Sequence, residues 1–433
     1  MNYSDKVIDL LKTSYSQFHS CKNICELLKE NGFISLDEKS NFKLEKGKNY
    51  FVTRNLSSVI AFKIPSEIKD LSFLITASHS DSPTFKLKPN PVIKVNNLTL
   101  LNVEPYGGMI NSTWLDRPLS IGGRIIVKSK DGLDQRIVNI DKNLLTINNL
   151  CIHMNRDINN GYKFNNSKDM LPIISSDENF DFNLFIKKEL NLKDDEEILS
   201  FDLYLYVREL PTRCGANSEF VLSPKLDDLS SSYSSLLGFI DSKSYSKILV
   251  YSCFDNEEVG SLTRQGANST FLKDTLQRIV SNFKLNNDDY QKGIANSVLI
   301  SIDNAHANHP NHLEVSDKTT SVLLNKGIVI KYNANQSYTS DSLSSSIVKY
   351  ICKHNNLNYQ EYTNRSDLRG GSTLGNISNS EVSLISADIG IAQLAMHSSM
   401  EMCGYYDIED MANFVKGFYQ SNLSFKNNKV NFN

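Results

Sequence analysis

The sequence predicts an α/β fold in which a mixed sheet flanked by helices is interrupted by an inserted β-rich domain. Short β-branched and aromatic runs recur along the chain, with amphipathic segments of helical spacing between them. Four of the runs lead into residues of metal-binding types: 73–78 before His79, 248–254 before Glu257 and Glu258, 297–302 before Asp303, and 382–391 before His397. Between about residues 84 and 215 the texture changes to strand alternation broken by turn signals, as expected of a second, mostly β unit.

In chain order, two helices are expected over residues 3–18 and 20–31, the second ending at Gly32. Val7, Leu10, Leu11, Tyr15 and Phe18 recur among polar residues, so this start reads as an amphipathic helix rather than a signal peptide or membrane span. Strands follow over 49–54 and 58–63, turning at Asn55-Leu56, and then the run that ends at His79. Within the insert, 124–128 and 135–140 flank a Lys130-Asp131-Gly132 turn, and 199–210 alternates Phe201, Leu203, Leu205 and Val207 inward. Residues 156–181, rich in Asn and Asp, read as a long connection. The α/β pattern returns near Phe220, with a helix expected over 229–240. The domains are therefore set at 1–90 plus 218–433 for the α/β part and 91–217 for the insert.

A chain of 433 residues is long enough for two domains, and a formal net charge of -3 supplies no basic field for nucleic acid or a membrane surface. Seven cysteines, an odd number without a CxxC pair, suggest reduced thiols in a cytoplasmic protein and no cysteine metal site.

The chemistry centres on Glu257 and Glu258. A lone Glu-Glu pair is ordinarily a solvated acidic turn. Here it sits past a buried strand, and strands of an open α/β sheet present their ligands beyond their carboxyl ends, so His79, Asp303 and His397 are expected to converge on the same crevice. Carboxylates crowded there need a positive partner, and a metal ion supplies one. In SIDNAHANHPNH (301–312), Asp303 stands at the strand end while His306, His309 and His312 lie further along the loop, which favours Asp303 as the ligand. In HSDSP (79–83), Asp81 is placed either to orient the His79 imidazole or to form an Asx turn before Pro83. Asp227 and Asp228 fall at a helix start, where acids commonly cap, and nothing in the pattern separates the two. The glycine-rich stretch 365–375 matches neither phosphate-binding pattern and reads as a turn that could let a substrate approach the backbone.

The ordered set HSDSP, STWLDRPL (112–119), PKLDDL (224–229), DNEEVGS (255–261), SIDNAHANHPNH, KGIVIKYN (326–333), GGSTLG (370–375) and QLAMHSSMEM (393–402) resembles the aspartyl aminopeptidase family of dinuclear zinc exopeptidases over nearly the whole chain. The resemblance implies a zinc exopeptidase-like fold whose insert serves as a dimerisation or lid domain. It implies Asp227 as the carboxylate bridging two Zn²⁺ ions, His79 and Asp303 completing one site, and Glu258 and His397 the other. It also implies Glu257 as general base, Asp81 as orienter of His79, and Lys331 facing an acidic substrate side chain. His153 is implied to reach a neighbouring subunit's site within a homo-oligomer, dimers assembling to a dodecamer. The expected activity is removal of N-terminal Asp or Glu from peptides, with Co²⁺ or Mn²⁺ able to replace zinc. Preference for neutral residues is the near alternative, and Arg369 stands where some members have proline. An inactive self-assembling binding protein and a di-zinc carboxypeptidase or amide hydrolase are the others.

Overall fold

The structure is a computed structural model that describes all residues except Met1, Lys69, Arg369 and Asn433. Among the described residues a nine-stranded mixed sheet runs in the order Ile34–Leu36, Asn49–Arg54, Ser58–Lys63, Ile248–Phe254, Phe73–His79, Val298–Ile302, Ile385–Gly390, Ile328–Tyr332 and Tyr359–Thr363. The strands from Ile248–Phe254 to Ile385–Gly390 are mutually parallel. Their apolar residues alternate between two cores with the strand period of two. Leu74, Leu249, Val298 and Ile300 face one core, and Phe73, Ile75, Val250 and Leu299 the other. Burial on both faces explains why these strands read as unbroken apolar runs. Helices Leu226–Asp241, Ser342–His354 and Tyr405–Gln420 cover the first face with the N-terminal helices, and Phe271–Asn282 and Asn287–Ala295 cover the second.

Two N-terminal helices are found as expected, but the first, Tyr3–Leu11, ends at Leu11 rather than 18, and the second, Gln17–Glu30, begins before the expected residue 20. Lys225 Nζ donates to the carbonyls of Ser14 (2.6 Å) and Tyr15 (2.5 Å), and the Ser14 hydroxyl meets the Tyr233 hydroxyl at 2.5 Å. Those carbonyls are turned out of the helical ladder, which amphipathic spacing alone does not disclose.

The insert forms a six-stranded sheet in the order Gly132–Asn139, Leu119–Ser129, Glu197–Val207, Thr84–Val95, Leu98–Tyr106 and Ile173–Ser175. Phe85, Trp114, Leu203 and Leu205 sit in its core. Its first strand begins at Thr84, so a boundary at 90/91 cuts through that strand. At the other end Thr212–Cys214 pairs with Phe220–Ser223 in a separate five-stranded sheet reaching Ala305–His306, so those residues belong with the α/β part rather than the insert. The connection 156–181 is not structureless: Met170 is buried and Ile173–Ser175 adds an edge strand. No helix among the described residues is long and apolar enough to cross a membrane.

Candidate metal centre

The parallel strands deliver the candidate residues to one edge. Phe254 pairs with His79, so these two strand ends lie level, and Asp303 follows directly on Ile302, its N–H donating to the Ile389 carbonyl. Asn256 (φ 62°) and Gly260 (φ 94°) bracket a 3₁₀ turn over Glu257–Val259 that folds the chain back and aims both glutamates inward. The solvated acidic turn is thereby excluded, since the Glu258 side chain is 5 % exposed.

Asp227 lies at the middle of the constellation. Its Oδ1 is 3.7 Å from His79 Nε2 and its Oδ2 is 3.4 Å from His397 Nε2. Beyond these, Asp303 Oδ1 stands 3.9 Å from His79 Nε2 and Glu258 Oε2 3.5 Å from His397 Nε2. Three ligand groups result, each with its donor atoms within 4.8 Å of one another: His79, Asp227 and Asp303; Asp227, Glu258 and His397; and His79, Glu257 and Glu258. Asp228 turns away and accepts the His79 N–H at 3.1 Å. Neither aspartate caps the helix: both have non-helical backbone angles, and the helix begins without a side-chain cap.

Both imidazoles are oriented through Nδ1. That of His79 donates to the Asp81 carbonyl (3.0 Å) and lies 3.4 Å from the Asp81 carboxylate; that of His397 donates to the Gly108 carbonyl (2.9 Å). When the ring is neutral, each Nε2 is thus left with a lone pair facing the carboxylates. Asp81 also accepts the N–H groups of Glu257 and Glu258, both at 3.2 Å, so the Asx-turn reading gives way to an orienting one. Three further residues were missed in the sequence. Buried Glu401 accepts the N–H groups of Asp227 (3.0 Å) and His397 (2.7 Å). The Tyr106 hydroxyl donates to Asp81 (2.8 Å), and Asn304 Nδ2 donates to the Leu226 carbonyl (2.7 Å) and Gln393 (2.6 Å). Glu401 falls within QLAMHSSMEM, which was a signal; Tyr106 carried none.

In the chain without cations, burial opposes charge on Asp227, but the His397 and His79 imidazoles hold its carboxyl far below the usual range. Glu257 is pushed up to about 8, chiefly by burial, with His79 opposing and Asp303 and Asp81 reinforcing. His397 is raised to about 10: burial works against its charge, but Asp227 and Glu258 outweigh it.

A cavity of about 300 Å³ opens on the constellation, with Lys331, Tyr338, Tyr362 and Thr373 among its walls. Lys331 is 2 % exposed; its Nζ donates to the carbonyls of Asp303 (2.8 Å) and Asn304 (3.1 Å) and lies 5.2 Å from the centre of the Tyr338 ring. The glycine-rich stretch is more than a turn, because Gly371 and Ser372 line the cavity too. Of the clustered histidines His306 lines the cavity, whereas His309 and His312 do not. His153 is exposed on the insert, away from its own chain's cavity. Arg369 lies outside the described residues.

The donor set fits zinc: imidazole nitrogens and carboxylate oxygens, with Asp227 Oδ1 and Glu258 Oε1 buried and without a hydrogen-bond partner. Fold and site together define a metal-dependent hydrolase. A family model described as "Aminopeptidase I zinc metalloprotease (M18)" matches residues 10–419. A curated relative from Clostridium acetobutylicum, "Probable M18 family aminopeptidase 2", is 43 % identical over 97 % of this chain and 99 % of its own length. One of the same name from Ectopseudomonas mendocina is 34 % identical over 96 % and 97 %. Among solved structures, a chain of the Ape4 and Nbr1 complex superposes with a TM-score of 0.93 at 34 % identity, covering 97 % of this chain and 85 % of that one. The S. cerevisiae mApe1 dodecamer gives 0.83 at 26 %, covering 96 % of each chain. The chain belongs to the M18 family of zinc metallopeptidases, the family its motifs resemble, and is a zinc-dependent aminopeptidase.

Proposed function

We propose that this aminopeptidase removes acidic residues, Asp or Glu, from peptide N-termini with two zinc ions held across Asp227. The observation that carries this reading is the double-facing carboxylate of Asp227, one oxygen toward His79 and the other toward His397. His79 and Asp303 complete one site and Glu258 and His397 the other; Co²⁺ or Mn²⁺ suits the same N/O donors. When bound, the ions supply Lewis-acid stabilisation of the oxyanion and a water of lowered pKa. Glu257 takes the proton of the attacking water and delivers it to the leaving amine, a task suited to a buried carboxyl raised toward neutrality. Asp81 fixes the tautomer and plane of His79.

Lys331 places a buried cation at the cavity wall, which supports an acidic substrate side chain. Two of its three N–H groups go to backbone carbonyls and its ammonium also lies 3.7 Å from the Asp303 carboxylate, which with the Tyr338 and Tyr362 rings beside it favours the second reading, a preference for neutral residues. We extend the dodecamer of the mApe1 relative to this chain: dimers joined through the insert, with His153 reaching a neighbour's cavity. All seven cysteines are unpaired, as a reducing cytoplasm maintains.

The test is hydrolysis of Asp-, Glu- and Leu-aminoacyl substrates by zinc-loaded protein, beside Glu257→Gln and Lys331→Ala. The acidic substrates should turn over fastest, and Glu257→Gln should lower kcat by about 10²–10⁴-fold. Lys331→Ala should lower acidic turnover far more than leucyl turnover. Preference of the wild-type protein for Leu would move the assignment to a neutral aminopeptidase, and turnover of none would bring the binding-protein reading forward.

A further inference from the structure

The segment 106–113, at the end of the insert strand Leu98–Tyr106, touches both halves of the metal centre. At its start the Tyr106 hydroxyl donates to Asp81 Oδ2 (2.8 Å) and accepts from Asn256 Nδ2 (2.7 Å). Asp81 in turn holds the His79 imidazole and the N–H groups of Glu257 and Glu258. Asn256 is the left-handed residue that starts the glutamate turn, and its Oδ1 is fixed by Thr263 and Gln265, both at 2.8 Å. One phenol oxygen therefore links the insert to His79 and to the turn carrying both glutamates.

Next along the segment, Gly107 (φ +77°) lies against Glu258: a Cβ there would stand 3.1 Å from the Glu258 Cβ and 3.4 Å from Pro83. A side chain there would be strained by the positive φ and would have to push Glu258 aside, so glycine suits the approach. The Gly108 carbonyl then accepts from His397 Nδ1, and the Ile110 N–H donates to the His397 carbonyl at 2.9 Å. His397 itself has φ +66°, so these two bonds hold a backbone that a histidine does not favour. Thr113 closes the contact, accepting the Ser399 N–H on Oγ1 (2.9 Å) and the Ser399 hydroxyl on its carbonyl (2.6 Å).

Both ends of the segment are anchored in the insert. Tyr106 pairs with Thr84 and packs edge-on against Tyr204 at 5.5 Å, while Trp114 is buried edge-on against Phe85 at 5.5 Å. A segment fixed at both ends, hydrogen-bonded to His79's orienter and to His397 and lying close against Glu258, is a brace.

We propose that the segment 106–113 is a strap by which the insert sets the spacing of the two metal sites, with the Tyr106 hydroxyl as its principal positioning group. The insert is then part of the catalytic machinery of its own chain, besides any role in association. This rests on the reading that His79, Glu258 and His397 bind metal.

Tyr106→Phe removes one oxygen and keeps the ring; Thr113→Val severs the Oγ1 contact to Ser399 at the far end. Each would be compared with wild type by zinc affinity in chelator competition, by the visible spectrum of the cobalt-substituted protein, and by steady-state kinetics. The strap predicts an altered cobalt spectrum, zinc affinity weakened about tenfold, and kcat lowered about 10- to 100-fold with KM within about twofold, the size seen when groups orienting metal ligands are removed. Size-exclusion profiles should stay those of wild type. If Tyr106→Phe fails to fold, the cobalt spectrum of Thr113→Val decides. Spectra superimposable on wild type, with unchanged zinc affinity, overturn the proposal even if kcat falls, because the strap then does not set the donors. A wild-type protein that takes up no cobalt or zinc would instead sink the metal-site reading.

Discussion

Asp227 is suited to join two cations because its oxygens face different imidazoles, and the same crowding makes the metal-free site hold protons. Without cations His397 is raised to about 10 and His79 well above its ordinary value: burial opposes the charge on each, but the carboxylates around them prevail. In the metal-free chain His397 is therefore protonated at pH 7, and both imidazoles bind metal only when neutral. In the metal-free chain a raised histidine contributes stability in full below its unfolded value near 6.5, lost as the pH climbs through about 10. Metal affinity runs the other way and rises with pH, so filling the centre at pH 7 should release about one or more protons per chain, that of His397 among them. Calorimetry in buffers of different ionisation enthalpy reads that number. A zinc-binding heat independent of buffer would mean that the carboxylates do not hold these histidines protonated in the metal-free chain, and a rate flat from neutral to about pH 5 would count against them as ligands. At this scale the sequence disclosed His79, Glu258, Asp303 and His397 because each lies at or soon after the end of a buried run. It did not separate Asp227 from Asp228, since the choice depends on which carboxylate the backbone turns toward the histidines. Glu401 lay inside a motif, but its role was hidden because its bonds go to backbone N–H groups that have no sequence signature, and Tyr106 was invisible because its hydroxyl meets Asp81 and Asn256 only through the fold.

The elements that carry the site were legible in proportion to how local their causes are. Asn49–Arg54, Ser58–Lys63 and Phe73–His79 were readable to the residue, because β-branched runs between turn residues set their own limits. The position of the break between the two N-terminal helices was not, because the turn is held by a lysine some 210 residues away. Lys225 sits in the left-handed region (φ 59°) just before the helix Leu226–Asp241, and its ammonium joins that helix's start to the turn between the first two helices. Lys225→Met keeps the stem but leaves two carbonyls without their donor, which should cost about 1–3 kcal/mol of unfolding free energy. Denaturant midpoints at fixed protein concentration would measure it. An unchanged midpoint would mean that water replaces the ammonium and that the helix break has another cause.

In the whole molecule the two proposals give the insert two relations to catalysis, one within its chain and one between chains. The strap, at the inner end of the insert, braces its own site. The loop carrying His153 exposes the apolar side chains of Ile152 and Met154 beside it, a surface that a second subunit would cover. In an isologous dimer each His153 would enter the partner's cavity, so every working site would need Glu257 from one chain and His153 from the other. His153→Ala and Glu257→Gln should each be nearly inactive as pure assemblies. Co-expressed in equal amounts they should regain roughly a quarter of wild-type activity, since half the dimers are mixed and one of the two sites in each mixed dimer holds both intact residues. Restoration of that size would place His153 in the neighbour's site, since a histidine acting within its own chain could not be supplied by a partner. If the mixture shows only the sum of its separately assembled parts, His153 has no role in trans and the exposed loop is an association surface alone.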